Sequence, residues 1–311
     1  MKQLQLYTYV NTEHPMVAWE VYSARLFSAD ATAEDGFQPL SLRYAAVLKN
    51  STPNRLSAEI RIEHVRRKYY PKHVSRLTGL YFFESRKAAE TAQQEWGVRH
   101  FNAANLIEVC VTAETITKVD SEWITHCFFD QDQKWMRSYW QGDTYGKTPL
   151  WEILVSGAGI VWGTSTRERA YEVVRSQFPK SLGMLELSRV AFDCGFNLGR
   201  IVPYIIHSGD NRFRLNFAMD FRDADNPEFL QALSGYQGPR NVRDMNPLEL
   251  APPDLRPYMF DFTLDAGIFH PFASTTVPDH GSIEHFRETA SNQRLDATGN
   301  NAAGSLRSLS S

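Results

Sequence analysis

Cysteine is scarce in this chain of 311 residues, which contains only Cys110, Cys127 and Cys194. The three lie far apart in the sequence, so their spacing fits no metal-binding motif, and their odd number does not suit a set of disulfides. Their neighbours are apolar, which favours reduced cysteines in the core of a cytoplasmic protein.

Long apolar runs and an excess of one charge are also missing. No run approaches the roughly 18 residues that a membrane span needs, and the N-terminal segment MKQLQLYTYVNTEH lacks the apolar stretch of a signal peptide. The chain has 33 basic and 36 acidic residues, for a net charge of -3. We therefore expect a soluble, cytoplasmic protein with no membrane partner and no overall field that would hold a polyanion.

Several motifs that carry common chemistries do not occur. The sequence has no GxGxxG or GxxxxGK loop for phosphates, no GxSxG elbow for a nucleophilic serine and no HExxH pair for zinc. Its nine histidines are scattered, so we predict no metal site.

What the chain does have is an ordinary globular composition with many aromatic residues. Apolar residues make up 42% and charged residues 22%, while Trp, Tyr and Phe together reach 13%. Aromatic side chains at this density fill a core, and they also line sites that stack planar ligands.

Hydrophobic periodicity predicts both strands and helices, and hence an α+β fold. The segment 41–48 could form either a strand or a short helix. The sequence at 208–211 predicts a hairpin turn. Strands are predicted at 3–10, 17–27, 80–83, 106–112, 149–155, 159–162, 184–193, 199–207 and 212–221, and a further one within 258–269. A helix is favoured at 55–69, although Ile60 and Ile62 also suit a strand. Further helices are predicted at 86–96 between a Ser85 cap and Gly97, at 131–141 between an Asp130 cap and Gly142, at 165–178 from a Ser165–Glu168 capping box, and at 226–235.

One carboxylate, Glu152, stands inside the apolar run Pro149–Val155. Burying an unpaired carboxylate costs roughly several kcal/mol, so such a residue is paired, exposed at an edge, or functional. Either Glu152 lies on the solvent face of a half-buried strand, or it belongs to a site.

A second feature is the basic stretch 61–72, which includes Arg61, Arg66, Arg67, Lys68 and Lys72. Such a run is commonly a solvated face. It can also form a local patch for the phosphates of a ligand or of a nucleic acid.

Three segments taken in order resemble the ADP-ribosyltransferase superfamily, in particular bacterial transferases of toxin and phage-defence systems. The first carries Tyr22 and Arg25, the second is GLYFFESRKAAETA, a Gly-aromatic strand followed by an Ala-rich helix, and the third is YWQGDTYGKTPLWEILV. The resemblance covers roughly 17–180. It implies a split mixed β-sheet core with flanking helices over 1–180, which we expect to be followed by a β-rich extension over 181–285 and a disordered tail over 286–311.

The resemblance also implies an activity and its residues. NAD would be the substrate, and ADP-ribose would pass to RNA, DNA or protein with release of nicotinamide; an antitoxin or inhibitor protein is a possible partner. Glu152 would be the catalytic residue, stabilising the oxocarbenium-like transition state. The expected NAD-binding residues are Tyr22, Arg25, Ser75, Thr78, Gly79, Tyr81 and Trp140.

Some of these assignments have alternatives. Arg43 or Tyr44 could take the place of Arg25 in the first segment, and Tyr81 and Trp140 could simply pack in the core. Glu84, Glu108 and Glu122 are rival carboxylates, of which Glu108 has the same apolar-strand setting as Glu152.

The residue two positions before Glu152 restricts the class of molecule that could accept ADP-ribose. Family members that modify arginine carry a second acid there, whereas this chain has Leu150. The resemblance therefore points to a branch with other acceptors, including nucleic acid. Two further hypotheses remain: a non-catalytic module that binds nucleic acid or protein, and hydrolysis of NAD without an acceptor.

Overall fold

The computed structural model describes residues 1–33, 36–241 and 250–276, and the predicted tail at 286–311 lies outside them. Within these ranges, ten α-helices accompany two antiparallel sheets, so the predicted α+β class is confirmed. The strands are β1 (Lys2–Tyr9), β2 (Arg25–Phe27), β3 (Leu80–Phe82), β4 (Leu106–Asp120), β5 (Trp151–Val161), β6 (Arg200–Gly209), β7 (Arg212–Asp220) and β8 (Phe260–Thr263). The helices are α1 (Pro15–Tyr22), α2 (Leu42–Asn50), α3 (Pro53–Tyr69), α4 (Arg86–Trp96), α5 (Glu122–Cys127), α6 (Gln133–Gln141), α7 (Thr164–Gln177), α8 (Leu182–Asp193), α9 (Pro227–Ser234) and α10 (Ala266–Phe269).

The first sheet has five strands and is built around β5. The order is β1, β4, β5, β2, and β3 pairs with β5 on the same edge as β2. In this register Val119 of β4 faces Glu152, and Tyr81 of β3 faces Leu154. An isolated bridge between Tyr7 and Phe83 also joins β1 to the end of β3, so the sheet curls until its two ends touch.

Strand β5 is continuous where the sequence predicted two separate strands. Its partner β4 is also longer than the predicted 106–112, and it contains a bulge between Ala113 and Thr115. Opposite the bulge, Gly157 has φ +145°, and a Cβ there would lie 2.3 Å from the carbonyl oxygen of Thr112. Gly157 therefore allows β5 to pass the irregularity unbroken.

Two predicted strands are wrong. The segment 17–27 forms the end of α1 and then, after Ala24 at φ +65°, the short strand β2. The segment 184–193 forms most of α8. Both helices are buried on most of their surface, so their apolar residues show no clear helical period, and they were mistaken for strands.

The other helix predictions are confirmed, with corrections at some N-termini. Segment 41–48 falls mainly in helix α2. Ser85 caps α4, and Gly97 ends it in the left-handed conformation at φ +58°. Asp132 rather than Asp130 caps α6. The proposed capping box at α7 is absent, because that helix begins one residue earlier, after Gly163, without a side-chain cap.

The second sheet has the order β6, β7, β8 and includes the predicted hairpin between β6 and β7. One hydrophobic core spans both sheets and extends from Leu6 of β1 to Phe272 near the end of the described chain. The indole of Trp19 connects α1 to the second sheet by donating to the Gly199 carbonyl at 2.8 Å. No helix in the described ranges combines the length and apolar character that crossing a bilayer demands.

Candidate functional site

Glu152 lies inside the protein, with only 5% of its surface exposed. It does not occupy the solvent face of its strand, so the simpler interpretation of this residue is wrong. On β5 it shares a face with Leu154, which packs against α3 and α6. A buried carboxylate requires a partner, and here the partner is Arg76, whose Nη1 lies 3.7 Å from Glu152 Oε2.

Arg76 is the centre of a buried polar cluster. Its Nε and Nη2 donate to the two carboxylate oxygens of Glu59 at 3.0 and 3.1 Å, and its Nη1 donates to the hydroxyl of Tyr139 at 2.7 Å. We call Glu59, Arg76, Tyr139 and Glu152 the Arg76 cluster. Its members come from α3, the loop before β3, α6 and β5, so the cluster ties four elements together.

Burial and charge in the Arg76 cluster shift the pKa values of Glu59, Arg76 and Tyr139. Burial alone would raise the pKa of Glu59, but the charge and hydrogen bonds of Arg76 outweigh it and leave that pKa below its usual value. Burial likewise opposes the charged form of Arg76, yet Glu59 holds the Arg76 pKa well above its usual value. Burial raises the pKa of Tyr139, so its phenol stays neutral. The cluster thus holds one permanent cation beside two carboxyl groups.

Tyr81 lies beside Glu152 on the same face of the sheet, since its register partner is Leu154. Its hydroxyl donates to the Arg76 carbonyl at 2.8 Å. Burial raises the Tyr81 pKa to about 12, so it is neutral at physiological pH. The guanidinium of Arg43, on α2, lies 3.6 Å from the centre of the Tyr81 ring.

Tyr44 approaches the same cluster from α2. It is 1% exposed, and its hydroxyl has no hydrogen-bond partner. Burial, followed by the charges of Glu59 and Glu63, raises the pKa of Tyr44 well above its usual value. Arg43 and Tyr44, the two alternatives for the first segment, are therefore both close to Tyr81.

Tyr22 and Arg25 lie elsewhere. Arg25 pairs with Ile160 of β5, eight residues or about 26 Å of extended strand from Glu152. The Tyr22 hydroxyl donates to Glu186 of α8 at 2.9 Å. Tyr22 ends helix α1 and Arg25 begins the short strand β2, so the two residues do not share one strand as the resemblance requires, and they do not meet Glu152.

Ser75 and Thr78 line a cavity of about 790 Å³. The cavity lies between the C-terminal end of α3, the loop 71–78 and the segment 37–40, and neither Glu152 nor Tyr81 lines it. The Ser75 hydroxyl donates to Glu63 at 2.9 Å. Ser75 thus contacts Glu63 at the cavity, whereas Arg76, the next residue, contacts Glu59 and Glu152.

Gly79 and Trp140 have structural contacts. A Cβ on Gly79 would lie 2.6 Å from a methyl group of Val74 and 2.8 Å from the Ser75 carbonyl, so the tight turn before β3 needs glycine. Trp140 is fully buried, and its indole donates to the Ile62 carbonyl at 3.0 Å. Both contacts position the elements that carry Arg76 and Tyr139.

Glu59 and Arg76 were not predicted from the sequence as neighbours of Glu152. Arg76 lies between Ser75 and Thr78, two of the predicted NAD-binding residues, but nothing in the sequence pairs it with a helix residue seventeen positions earlier. Glu59 follows helical spacing with Glu63, which suggests a common face and no more. In the part of the chain that the structure describes, no three His, Cys, Asp or Glu residues are grouped to hold a metal ion.

Comparison with known families gives one similarity. Residues 32–175 match a family model described as a protein of unknown function (DUF2441). A search of curated proteins finds no match. The matched region contains the whole Arg76 cluster together with Arg43, Tyr44 and Tyr81, whereas Tyr22 and Arg25 precede it. The chain is thus similar to that family over the segment that carries the candidate site.

Proposed function

We propose that this protein transfers ADP-ribose from NAD to a macromolecular acceptor and releases nicotinamide, with Glu152 as its catalytic residue. The fold implied is the split sheet of ADP-ribosyltransferases, and the setting is that of a toxin or phage-defence effector. One observation carries the proposal: Glu152 lies beside Tyr81, and the planar guanidinium cation of Arg43 already lies 3.6 Å from the centre of the Tyr81 ring. The nicotinamide of NAD is also a planar cation.

The proposed reaction assigns a task to each of these groups. The bond between the ribose C1′ and nicotinamide breaks, and nicotinamide leaves as a neutral molecule with the bonding electron pair. Positive charge then develops on the ribose, and the Glu152 carboxylate stabilises it in a setting poor in water. The acceptor forms the new bond to C1′ with its own electron pair and loses a proton.

Arg43 and Tyr44 take the first-segment role in this proposal, in place of Arg25. Arg43 is exposed on α2, so its side chain can leave the Tyr81 ring when the nicotinamide arrives. Arg76 places a cation 3.7 Å from the Glu152 carboxyl group, and Glu59 balances the charge of that arginine. Leu150 is buried, and its backbone N–H donates to Asp120, so this position offers no second acid. We therefore favour nucleic acid over arginine side chains as the acceptor.

The test is incubation of the full chain with labelled NAD and separate pools of RNA, DNA and protein, with nicotinamide release measured in parallel. We expect label on one pool, and Glu152→Gln should reduce both signals at least 100-fold. Glu108→Gln is the matched control, since Glu108 is an exposed glutamate on the neighbouring strand. Activity in Glu152→Gln equal to that of Glu108→Gln would exclude the assignment. Nicotinamide release without any label transfer would indicate NAD hydrolysis instead.

A non-catalytic binding module is the second candidate, based on the exposed Lys68 and Lys72 at the end of α3. Arg66 of that basic stretch is less available, because its guanidinium forms an ion pair with the buried Glu63 at 2.7 Å. This candidate predicts salt-sensitive binding of nucleic acid and no effect of NAD. A thermal shift separates the two, since NAD at 100 times its Kd should add about 2.7 kcal/mol to the free energy of unfolding.

A further inference from the structure

The cavity beside Ser75 and Thr78 has the size and the lining of a ligand site. Its volume of about 790 Å³ lies within the range of small-molecule pockets. Phe37 and Phe272, both almost fully buried, give it apolar walls. Its polar lining includes Arg66, Arg67, Lys72, His73, Ser75 and Thr78.

The positive charges of the lining are not all neutralised. Glu63, the buried carboxylate of the wall, is occupied by Arg66, whose nitrogens donate to it at 2.7 to 3.1 Å, and by the Ser75 hydroxyl. The other acid, Asp30, accepts a hydrogen bond from Ser156 at 2.6 Å. The lining thus has three cations, Arg66, Arg67 and Lys72, against two acids, and Arg67 and Lys72 lie outside the close Arg66–Glu63 pair.

These two cations are weakly engaged. Arg67 reaches its three hydrogen-bond partners, Glu63, Gln38 and the Pro271 carbonyl, only at 3.3 to 3.4 Å, and its guanidinium lies 4.2 Å from the centre of the Phe272 ring. Lys72 forms no ion pair with any residue in the described part of the chain. Both side chains are therefore available to an anion, since Arg67 has only long hydrogen bonds to exchange and Lys72 has no ion pair to break.

His73 offers a different kind of contact. Its Nδ1 is buried without a hydrogen-bond partner, although the residue lines the cavity. Burial, assisted by the charge of Arg66, lowers the His73 pKa, so the imidazole is neutral at pH 7. A neutral imidazole can accept a hydrogen bond from a hydroxyl group at one ring nitrogen and donate a hydrogen bond from the other.

We infer that this cavity binds a phosphate-bearing small molecule of nucleotide size. Arg67 and Lys72 contact the phosphate, and the apolar walls at Phe37 and Phe272 contact the rest of the ligand. The inference does not rest on the proposed function, because neither Glu152 nor Tyr81 lines the cavity. Binding is measured separately from nicotinamide release, so each can fail without the other.

The experiment is calorimetric titration of the full chain with ADP. Saturable binding is expected, and Lys72→Ala and Arg67→Ala should each weaken it at least tenfold. Lys68→Ala is the matched control: Lys68 is also exposed, follows Arg67 near the end of α3, and contacts Tyr69 rather than the cavity. Its Kd for ADP should equal that of the unaltered protein.

Competition identifies the part of the ligand that is recognised. Inorganic phosphate should displace ADP, and adenosine, which lacks the phosphate, should not. The inference is overturned if ADP does not bind, if adenosine displaces it as well as phosphate does, or if Lys68→Ala weakens binding as much as Lys72→Ala. Because Lys72 is exposed, its replacement is not expected to prevent folding, which circular dichroism verifies.

Discussion

Two arginines organise buried polar clusters in this protein, and they do so differently. Arg76 joins residues from four separate elements. Arg189 of α8 pairs with Glu186 and Asp193 of its own helix, three and four residues away. The Glu186 carboxylate also accepts from the Tyr22 hydroxyl and from the backbone N–H of Asn241, at 2.9 and 2.8 Å. We call this second set the Arg189 cluster.

Each cluster has two acids for one arginine, but the second acid is placed differently. In the Arg189 cluster, the side chain of Asp193 is 40% exposed, so water shares its charge. In the Arg76 cluster, the second acid is Glu152, whose side chain is 7% exposed. The second acid of the Arg76 cluster therefore lies in a setting of low dielectric constant, where a carboxylate acts most strongly on a developing cation.

The largest effect is expected from Arg76→Met. It leaves Glu59 and Glu152 buried without a cation and should lower the free energy of unfolding by about 3–5 kcal/mol, measured by urea denaturation. Lys118→Met is the control, because Lys118 belongs to an exposed ion pair with Glu84, and a change of less than about 1 kcal/mol is expected there. Equal losses of unfolding free energy in Arg76→Met and Lys118→Met would show that the buried cluster contributes no more than an exposed ion pair.

A smaller loss is expected from Arg189→Met, about 1.5–3 kcal/mol. Asp193 can turn to water, and Glu186 keeps the hydrogen bonds of Tyr22 and Asn241. Urea denaturation of the two arginine variants side by side measures the difference. If Arg189→Met were the less stable protein, local pairing on one helix would matter more than the burial of the second acid.

Glu20 of α1 is a partly buried acid whose neighbouring cation is Arg200, and it provides a test of pH dependence. Burial, partly offset by Arg200, raises its pKa from 4.5 to about 7. The folded protein therefore holds this proton more tightly than the unfolded chain, so stability should fall as pH rises from about 4.5 to about 7. Glu20→Gln should remove this component and stabilise the protein at pH 8 by about 1–2 kcal/mol, given that the residue is partly accessible to solvent. An unchanged pH profile in thermal denaturation would contradict the assignment.

The smallest effect on stability is expected from Glu152→Gln, about 1 kcal/mol or less, because Arg76 keeps both hydrogen bonds to Glu59. Glu59→Gln removes the closer partner and should cost more. Urea denaturation of both variants therefore separates the acid that holds the structure from the acid that is available for chemistry. A larger loss for Glu152→Gln would give Glu152 the structural role.

The same contrast explains what could be predicted from the sequence. Features set by neighbours along the chain were recovered: the Ser85 and Gly97 ends of α4, the helix at α3, and the hairpin between β6 and β7. The helices α1 and α8 were missed because burial on most sides removes the periodicity that distinguishes a helix from a strand.

For the site, the sequence singled out Glu152 and Tyr81, which the structure places side by side. It could not supply the rest. Pairing Glu59 with Arg76 requires the path of the loop 70–79, and that path depends on packing contacts such as the Val74 N–H donating to the Thr117 hydroxyl of β4 at 2.8 Å. Contacts of this kind leave no spacing signal in the chain.

The bridge between Tyr7 and Phe83 has a consequence for how the protein meets other copies of itself. Each residue donates its N–H to the carbonyl of the other, at 3.0 and 2.7 Å. These backbone groups would otherwise lie on two open sheet edges, where a strand from a second molecule can add and start aggregation. Because the sheet curls until its ends join, some backbone groups of each edge form hydrogen bonds with the other edge. A strand from a second molecule therefore finds fewer unpaired backbone groups.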